Sequence, residues 1–76
     1  MQLFVKDLND RTITIEVEPD DYISKIKQRI SERNGIPIEE QRLMWTGKQL
    51  INEKQIKDYG LQDGNTLFLV LRLKGG

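Results

Sequence analysis

Residues 67–76 read Leu-Phe-Leu-Val-Leu-Arg-Leu-Lys-Gly-Gly, and this stretch decides how the rest of the chain is arranged. Every residue from Leu67 to Leu71 is apolar, which is typical of a strand that contacts protein on both faces. Gly75 and Gly76 have no side chain to pack and have the largest backbone entropy of any residue, so we expect a mobile stalk that carries a free carboxylate. A frayed chain end without a role is the alternative interpretation.

The composition excludes several classes of function. The 76 residues suffice for one domain, and 12 basic and 12 acidic residues cancel, which argues against binding to nucleic acid or a membrane surface. The chain has no cysteine and no histidine, so disulfides, thiol nucleophiles, histidine bases and the usual zinc sites are excluded. We predict a protein that is not an enzyme and needs no metal or cofactor. Without an apolar run of membrane-spanning length or a signal peptide, we expect a soluble protein of the cytoplasm and nucleus.

Periodicity predicts the order of the elements. Alternating apolar residues indicate strands over 1–6, 11–17, 41–45, 48–50 and 66–72. Between the second and third strands, Ile23, Ile26 and Ile30 form a helical stripe, with Asp20 or Asp21 placed to cap its start and Gly35 placed to end it. A short helical turn is expected near residues 56–59.

These elements predict an α+β fold in which one helix packs across a mixed sheet of four to five strands. The first and last strands are both too apolar for a solvated edge, so we place them side by side at the centre. The helix between them provides the long crossover that parallel pairing requires, which is the β-grasp arrangement. The domain is predicted to span 1–72, with a flexible tail over 73–76. Lys27 lies on the inner edge of the helix and needs a carboxylate partner or a route to water.

Strand alternation leaves apolar residues outside the core. If Leu67, Leu69 and Leu71 face the helix, the residues between them face away. We therefore predict an exposed apolar patch for binding a partner, edged by positive charge; a covering segment or a second copy is the alternative. The patch is formed by Leu8, Met44, Phe68 and Val70, and the charges are those of Lys6, Arg42, Lys48 and Arg72.

Short motifs throughout the chain carry a resemblance to a known family. They are Met1-Gln2-x-Phe4-Val5-Lys6, Thr12-Ile13-Thr14, Glu16-Val17-Glu18-Pro19, Gly35-Ile36-Pro37, Gln41-Arg42-Leu43, Gly47-Lys48-Gln49-Leu50, Asp58-Tyr59 and Leu69-Val70-Leu71-Arg72-Leu73-x-Gly75-Gly76. Together they resemble the ubiquitin family from end to end without a gap.

The resemblance implies a chemistry for the tail. In the family, an activating enzyme adenylates the carboxylate that corresponds to Gly76, which then passes as a thioester between enzymes and finally joins a lysine amine. Gly75 and Gly76 would let the backbone enter a narrow channel. The resemblance assigns Leu71, Arg72, Leu73 and Lys74 to recognition by the activating enzyme. Arg72 is the ubiquitin-type residue where the cullin-modifying relative has alanine, and Lys74 replaces an arginine.

The resemblance also implies acceptors for chain formation and a wider binding patch. Lys6, Lys27, Lys48 and the amino group of Met1 match acceptors in the family, whereas Asp63 excludes chains through position 63. Gly47 and Ile36 join the patch on this basis. Met44 stands where isoleucine is usual and Phe68 where histidine is usual, so we expect altered partner preference. Asn52 replaces an aspartate that pairs with the helix lysine, which leaves the partner of Lys27 open.

The expected partners are activating, conjugating and ligase enzymes, deubiquitinases, ubiquitin-binding domains and lysines of target proteins. The chain is expected to be a monomer unless it is linked into chains. Two alternatives remain at the level of sequence. One is a variant that is not conjugated and that binds and inhibits ligases or deubiquitinases, and the other is a sulfur carrier of the same fold that ends in a Gly-Gly thiocarboxylate.

Overall fold

The computed structural model describes residues 1–72, and the predicted tail residues Leu73, Lys74, Gly75 and Gly76 lie outside the described residues. Every predicted element is present, and each strand end lies within one residue of its predicted position. The strands are β1 (Gln2–Lys6), β2 (Thr12–Glu16), β3 (Gln41–Trp45), β4 (Lys48–Gln49) and β5 (Thr66–Leu71). The helix α1 spans Ile23–Asn34, and 3-10 turns span Ile38–Glu40 and Ile56–Tyr59.

The sheet has the order β2-β1-β5-β3-β4. The predicted parallel pairing of β1 with β5 at its centre is confirmed, with Val5 opposite Leu67, and the other neighbouring strands run antiparallel. Parallel neighbours cannot be joined by a tight turn, and α1 lies within the long connection between them. The fold is therefore the predicted α+β arrangement of a helix on a mixed sheet.

The core lies between α1 and one face of the sheet. The stripe of Ile23, Ile26 and Ile30 is fully buried against inward residues of the strands. The helix ends as predicted at Gly35, which has a left-handed φ of 76° and donates its backbone N–H to the Ser31 carbonyl at 2.8 Å. The strand residues in this core include Leu3, Val5, Ile15, Leu43, Leu67 and Leu69.

The prediction of an aspartate cap at the start of α1 is wrong. The N-cap residue is Tyr22, whose side chain makes no capping hydrogen bond. Asp21 lies one residue too early and instead closes the preceding turn, where its Oδ2 accepts the Glu18 backbone N–H at 2.8 Å. Asp20 points elsewhere, with its Oδ1 3.0 Å from the Lys57 Nζ.

The prediction that Leu71 faces the helix core is also wrong, because this side chain is 45% exposed. Leu71 lies opposite Gln41 in the β3–β5 register. The buried Gln41 side chain takes the inward space there, and its Nε2 donates to the backbone carbonyls of Lys27 and Ile36, each at 3.0 Å. A hydrogen-bonded amide therefore ends the core before the last residue of β5.

Candidate functional site

The candidate site lies on the outer face of the sheet, which is the face turned away from α1. Register places Lys6 of β1, Phe68 of β5 and Met44 of β3 in one row across three strands. Val70 follows two residues along β5 and pairs with Arg42. The alternation of inward and outward residues thus brings Met44, Phe68 and Val70 together, as the sequence predicted.

Exposure differs among the four predicted patch residues. Phe68 is 51% exposed and Leu8 is 79% exposed, whereas Met44 and Val70 are half-buried. Leu8 lies in the turn that follows β1. Because β1 and β5 run parallel, Leu8 follows Lys6 in the same direction along the sheet as Val70 follows Phe68. We call Leu8, Met44, Phe68 and Val70 the outer-face patch, and its centre is the Phe68 ring because Phe68 has neighbours on both flanking strands.

Positive charge borders the outer-face patch. Arg42 is exposed on β3, Arg72 is exposed directly after the end of β5, and Lys48 is exposed on β4 at the edge of the sheet. The Lys6 Nζ lies 2.9 Å from the Asp10 Oδ1, so this charge is already paired. The base of the predicted tail is held in place, because the Arg72 backbone N–H donates to the Glu40 carbonyl at 2.6 Å.

Two residues assigned by resemblance occupy other places. Gly47 forms the exposed turn between β3 and β4 with a left-handed φ of 80°. Ile36 lies between α1 and the turn at Ile38–Glu40, where it is half-buried against the core. Its carbonyl accepts from the inward Gln41, so the structure places Ile36 apart from the outer face.

The predicted acceptor amines have very different surroundings. Lys48 is exposed, Lys6 is paired with Asp10, and Lys27 is only 6% exposed. The amino group of Met1 donates to the Val17 carbonyl at 2.7 Å and lies 3.0 Å from the Glu16 Oε2. The hydrogen bond with Glu16 raises the pKa of this amino group, which keeps it protonated and less nucleophilic.

Position 63 has a structural role. The Asp63 Oδ1 accepts the backbone N–H of Gln2 at 2.6 Å, and the neighbouring Gly64 N–H donates to the Gln2 carbonyl at 2.8 Å. These two hydrogen bonds hold the start of β1 against the loop before β5. The residue that replaces a family acceptor lysine is therefore part of the hydrogen bonding of the sheet.

Lys27 lines a cavity of about 380 Å³ together with Gln41, Asn52 and Glu53. Within residues 1–72, no carboxylate oxygen lies within 4 Å of the Lys27 ammonium. Burial lowers the pKa of Lys27, and the more distant Glu53 carboxylate opposes this shift. Among residues 1–72, the buried Asn52 Oδ1 and Gln41 Oε1 both lack a hydrogen-bond donor.

Comparison with known proteins places this geometry in a family. The sequence profile of the ubiquitin family matches residues 3–74, which is nearly the whole chain. The chain belongs to the ubiquitin family. The sheet order and the helix crossover described above are accordingly those of a ubiquitin-like β-grasp domain.

Similar proteins within the ubiquitin family align over all 76 residues. The chain is 47% identical to the NEDD8-like protein RUB3 of Arabidopsis thaliana, with 97% of that protein covered. It is 42% identical to Ubiquitin-like protein 1 of Schizosaccharomyces pombe, with 97% covered, and to Ubiquitin-like protein NEDD8 of Dictyostelium discoideum, with 99% covered. The family is that of ubiquitin-like protein modifiers.

The part of the chain that the structure describes offers neither a metal site nor a membrane span. Within residues 1–72, no three side chains of the types that bind metal ions lie close enough together to hold one. Likewise, no helix in this range has the length and apolar content that crossing a membrane requires.

Proposed function

We propose that this ubiquitin-family chain is a protein modifier that is joined through the Gly76 carboxylate to lysine amines of target proteins. An activating enzyme would first convert the carboxylate to an acyl adenylate, with pyrophosphate released from ATP. A cysteine thiolate then displaces AMP to form a thioester. Finally, a lysine amine displaces the thiol and leaves an amide bond, while this chain supplies no catalytic group.

Family membership over residues 3–74 is the observation that carries the proposal. The exposed side chains of Leu71 and Arg72 support it, because β5 ends there and leaves both accessible to an enzyme. The hydrogen bond from the Arg72 N–H to the Glu40 carbonyl fixes the point from which the next residues depart. Recognition can therefore act on ordered residues before the glycines that would enter the active site.

The outer-face patch is proposed to be the surface through which other proteins read the tag. Full burial of four apolar side chains contributes about 6–12 kcal/mol. Loss of translational and rotational freedom costs about 4–15 kcal/mol. One copy should therefore bind with a Kd in the micromolar to millimolar range, and linked copies should bind more tightly.

Among the predicted acceptors, we propose Lys48 as the principal one. Its amine is exposed and is not held in an ion pair among the described residues. Lys6 must first leave Asp10, and Lys27 must leave its buried position. Exposure thus favours chains through Lys48.

The proposed partners are activating, conjugating and ligase enzymes, deubiquitinases, ubiquitin-binding domains and target lysines. The cytoplasmic and nuclear location expected from the sequence belongs to the same proposal. The choice of activating enzyme is the open step: two of the relatives above carry NEDD8 in their names, whereas Arg72 is the ubiquitin-type residue. We propose that Arg72 directs the chain to the activating enzyme of ubiquitin.

A charging assay tests this function. The full chain is incubated with ATP, a conjugating enzyme and the activating enzyme of either ubiquitin or NEDD8, and a thioester band that a reductant removes is scored. We expect the band with the ubiquitin enzyme, and we expect Arg72→Ala to reduce it. Lys48→Arg should then suppress free chains, with Lys6→Arg as the matched control.

The outcomes separate the candidate functions. Absence of a thioester with both enzymes would contradict conjugation and support the variant that only binds ligases or deubiquitinases. Charging by the NEDD8 enzyme alone would keep the modifier function and reject the role given to Arg72.

A further inference from the structure

Asn34 and Gly35 form a chemically labile pair at the end of α1. Gly35 has no Cβ, so its backbone nitrogen can approach the preceding side-chain amide with little hindrance. Attack of this nitrogen on the Asn34 Cγ closes a succinimide ring, and the amide nitrogen leaves as ammonia together with the Gly35 proton. Water then opens the ring to aspartate or to isoaspartate. Both residues are exposed, and beyond the chain neighbours nothing lies within 4 Å of the position that a Gly35 Cβ would take.

The other three asparagines lack this combination. They are Asn9, Asn52 and Asn65, and each is followed by a residue with a side chain, which hinders ring closure. Asn52 and Asn65 are also half-buried, and the Asn65 Oδ1 accepts the Gln62 backbone N–H at 2.7 Å. Asn34 is therefore the asparagine at which both the sequence and the exposure favour this reaction.

The folded end of α1 holds both reacting groups in other contacts. Asn34 is the last residue of the helix, and the Gly35 N–H donates to the Ser31 carbonyl at 2.8 Å. The Asn34 Oδ1 accepts the Ile36 N–H at 3.3 Å. The attacking nitrogen can turn toward the Asn34 side chain only after the last turn of the helix opens. Helix ends open far more readily than the whole domain unfolds.

We propose that Asn34 is a site of spontaneous deamidation that the folded end of α1 protects and that becomes reactive when this end frays. Each of the two hydrogen bonds should slow the reaction by about 2- to 10-fold. Together they should make the folded chain deamidate about 5- to 100-fold more slowly than the unfolded chain. A reaction that required unfolding of the whole domain would instead be slowed by more than about 1,000-fold. This chemistry does not depend on conjugation at Gly76.

Deamidation should weaken the end of α1. Aspartate adds negative charge at the C-terminal end of the helix dipole, where it is unfavourable. Isoaspartate adds a methylene carbon to the main chain between positions 34 and 35, so the Gly35 N–H can no longer meet the Ser31 carbonyl in the same geometry. Ile36 would shift as well, and its carbonyl accepts a hydrogen bond from the buried Gln41 Nε2. We therefore expect faster exchange of the Gln41 side-chain N–H with solvent in the modified chain.

Mass spectrometry of the full chain tests the site and its protection. The wild-type chain is incubated at one mildly alkaline pH in heavy-oxygen water, either in buffer or in guanidinium chloride that unfolds it. Oxygen taken up from this water marks the rings that opened during the incubation. In the denaturant, Asn34 should deamidate first among the four asparagines, and Asn34→Gln should abolish this signal. In buffer, the same position should react about 5- to 100-fold more slowly.

Two helix variants test whether fraying of α1 is the route. Glu32→Gly changes an exposed residue of the last turn and should speed deamidation in buffer by about 2- to 5-fold, because glycine favours opening of the helix. Ser24→Gly is the matched control in the exposed first turn and should leave the rate unchanged. In guanidinium chloride both variants should react at the wild-type rate, because no helix remains.

Each contrary result bears on a separate step. Faster deamidation at another asparagine of the denatured chain would overturn the site. Equal rates in buffer and denaturant would overturn the protection by α1, and a difference above about 1,000-fold would replace local fraying by unfolding of the whole domain. No acceleration by Glu32→Gly, or an equal one by Ser24→Gly, would reject the route through the helix end. None of these results bears on thioester formation at Gly76.

Discussion

Asn52→Asp is predicted to stabilise the domain by giving Lys27 a partner. The Lys27 side chain is 6% exposed, and within residues 1–72 no carboxylate lies within 4 Å of its ammonium group. Asn52 lines the same cavity, and its Oδ1 accepts no hydrogen bond from the described residues. An opposite charge within about 4–6 Å raises a lysine pKa by about 1–3 units, and each unit corresponds to about 1.4 kcal/mol. Desolvation of the new carboxylate offsets part of this gain. We expect a net increase of about 1–2 kcal/mol in the free energy of unfolding.

Urea unfolding measures this effect. With a slope near 1 kcal/mol per molar for a small domain, the midpoint should rise by about 1–2 M. Gln62→Glu makes the same change in net charge on an exposed loop residue and should leave the midpoint almost unchanged. An Asn52→Asp midpoint equal to or below that of Gln62→Glu would refute the reasoning.

The pH dependence gives an independent check with a definite sign. The ordinary pKa of lysine is 10.5, and burial lowers the pKa of Lys27 in the folded protein. Between these two pKa values the unfolded state binds more protons, so the contribution of Lys27 to the free energy of unfolding rises with pH. Below that interval both states are protonated and the full cost of burying the ammonium is present. In Asn52→Asp the pKa of Lys27 should rise and this pH-dependent gain should shrink, as NMR titration of the Nζ would report.

Two further predictions concern side chains and backbone positions already described. Leu69→Ala should lower the free energy of unfolding by about 2–5 kcal/mol because Leu69 is buried. Leu71→Ala should lower it by less than about 1 kcal/mol because the Leu71 side chain is half-exposed. Equal losses of stability in thermal unfolding would show that Leu71 belongs to the core. Gly35→Ala should lower the free energy of unfolding by about 1–2 kcal/mol, because the backbone φ of 76° at this position strains any residue with a Cβ. Gln28→Ala, on the exposed face of α1, is the control and should be nearly neutral. An equally neutral Gly35→Ala would argue against the left-handed helix end.

Periodicity predicted most of the fold because one face of each strand is buried. The stripe of Ile23, Ile26 and Ile30 reports burial directly. The uniformly apolar run over Leu67–Leu71 and the apolar first strand indicated central strands, and the helix between them indicated the parallel pairing of β1 with β5. Burial of the last residue in a strand is harder to predict, because nothing in Leu71 itself shows where the helix stops covering the sheet. The alternation that includes Leu43 also places Gln41 inward, and this signal was available in the sequence.

Register limited what could be predicted about the site. Alternation alone places Lys6, Met44 and Phe68 outward, yet only the pairing of the three strands shows that these residues lie in one row. The helix cap failed for a related reason, since Asp21 could serve either α1 or the turn before it. Such choices depend on the position of neighbouring backbone, which a local sequence pattern does not contain.

The hydrogen bond from the Gln2 N–H to Asp63 couples the identity of residue 63 to the stability of β1. A lysine at position 63 would offer a new site for linking chains, but it would also remove the acceptor that holds the start of β1. A backbone hydrogen bond of this kind contributes about 0.5–1.5 kcal/mol. A lysine at position 63 would therefore gain a possible linkage site and lose part of what holds the start of β1, so the two properties cannot be changed independently at this position.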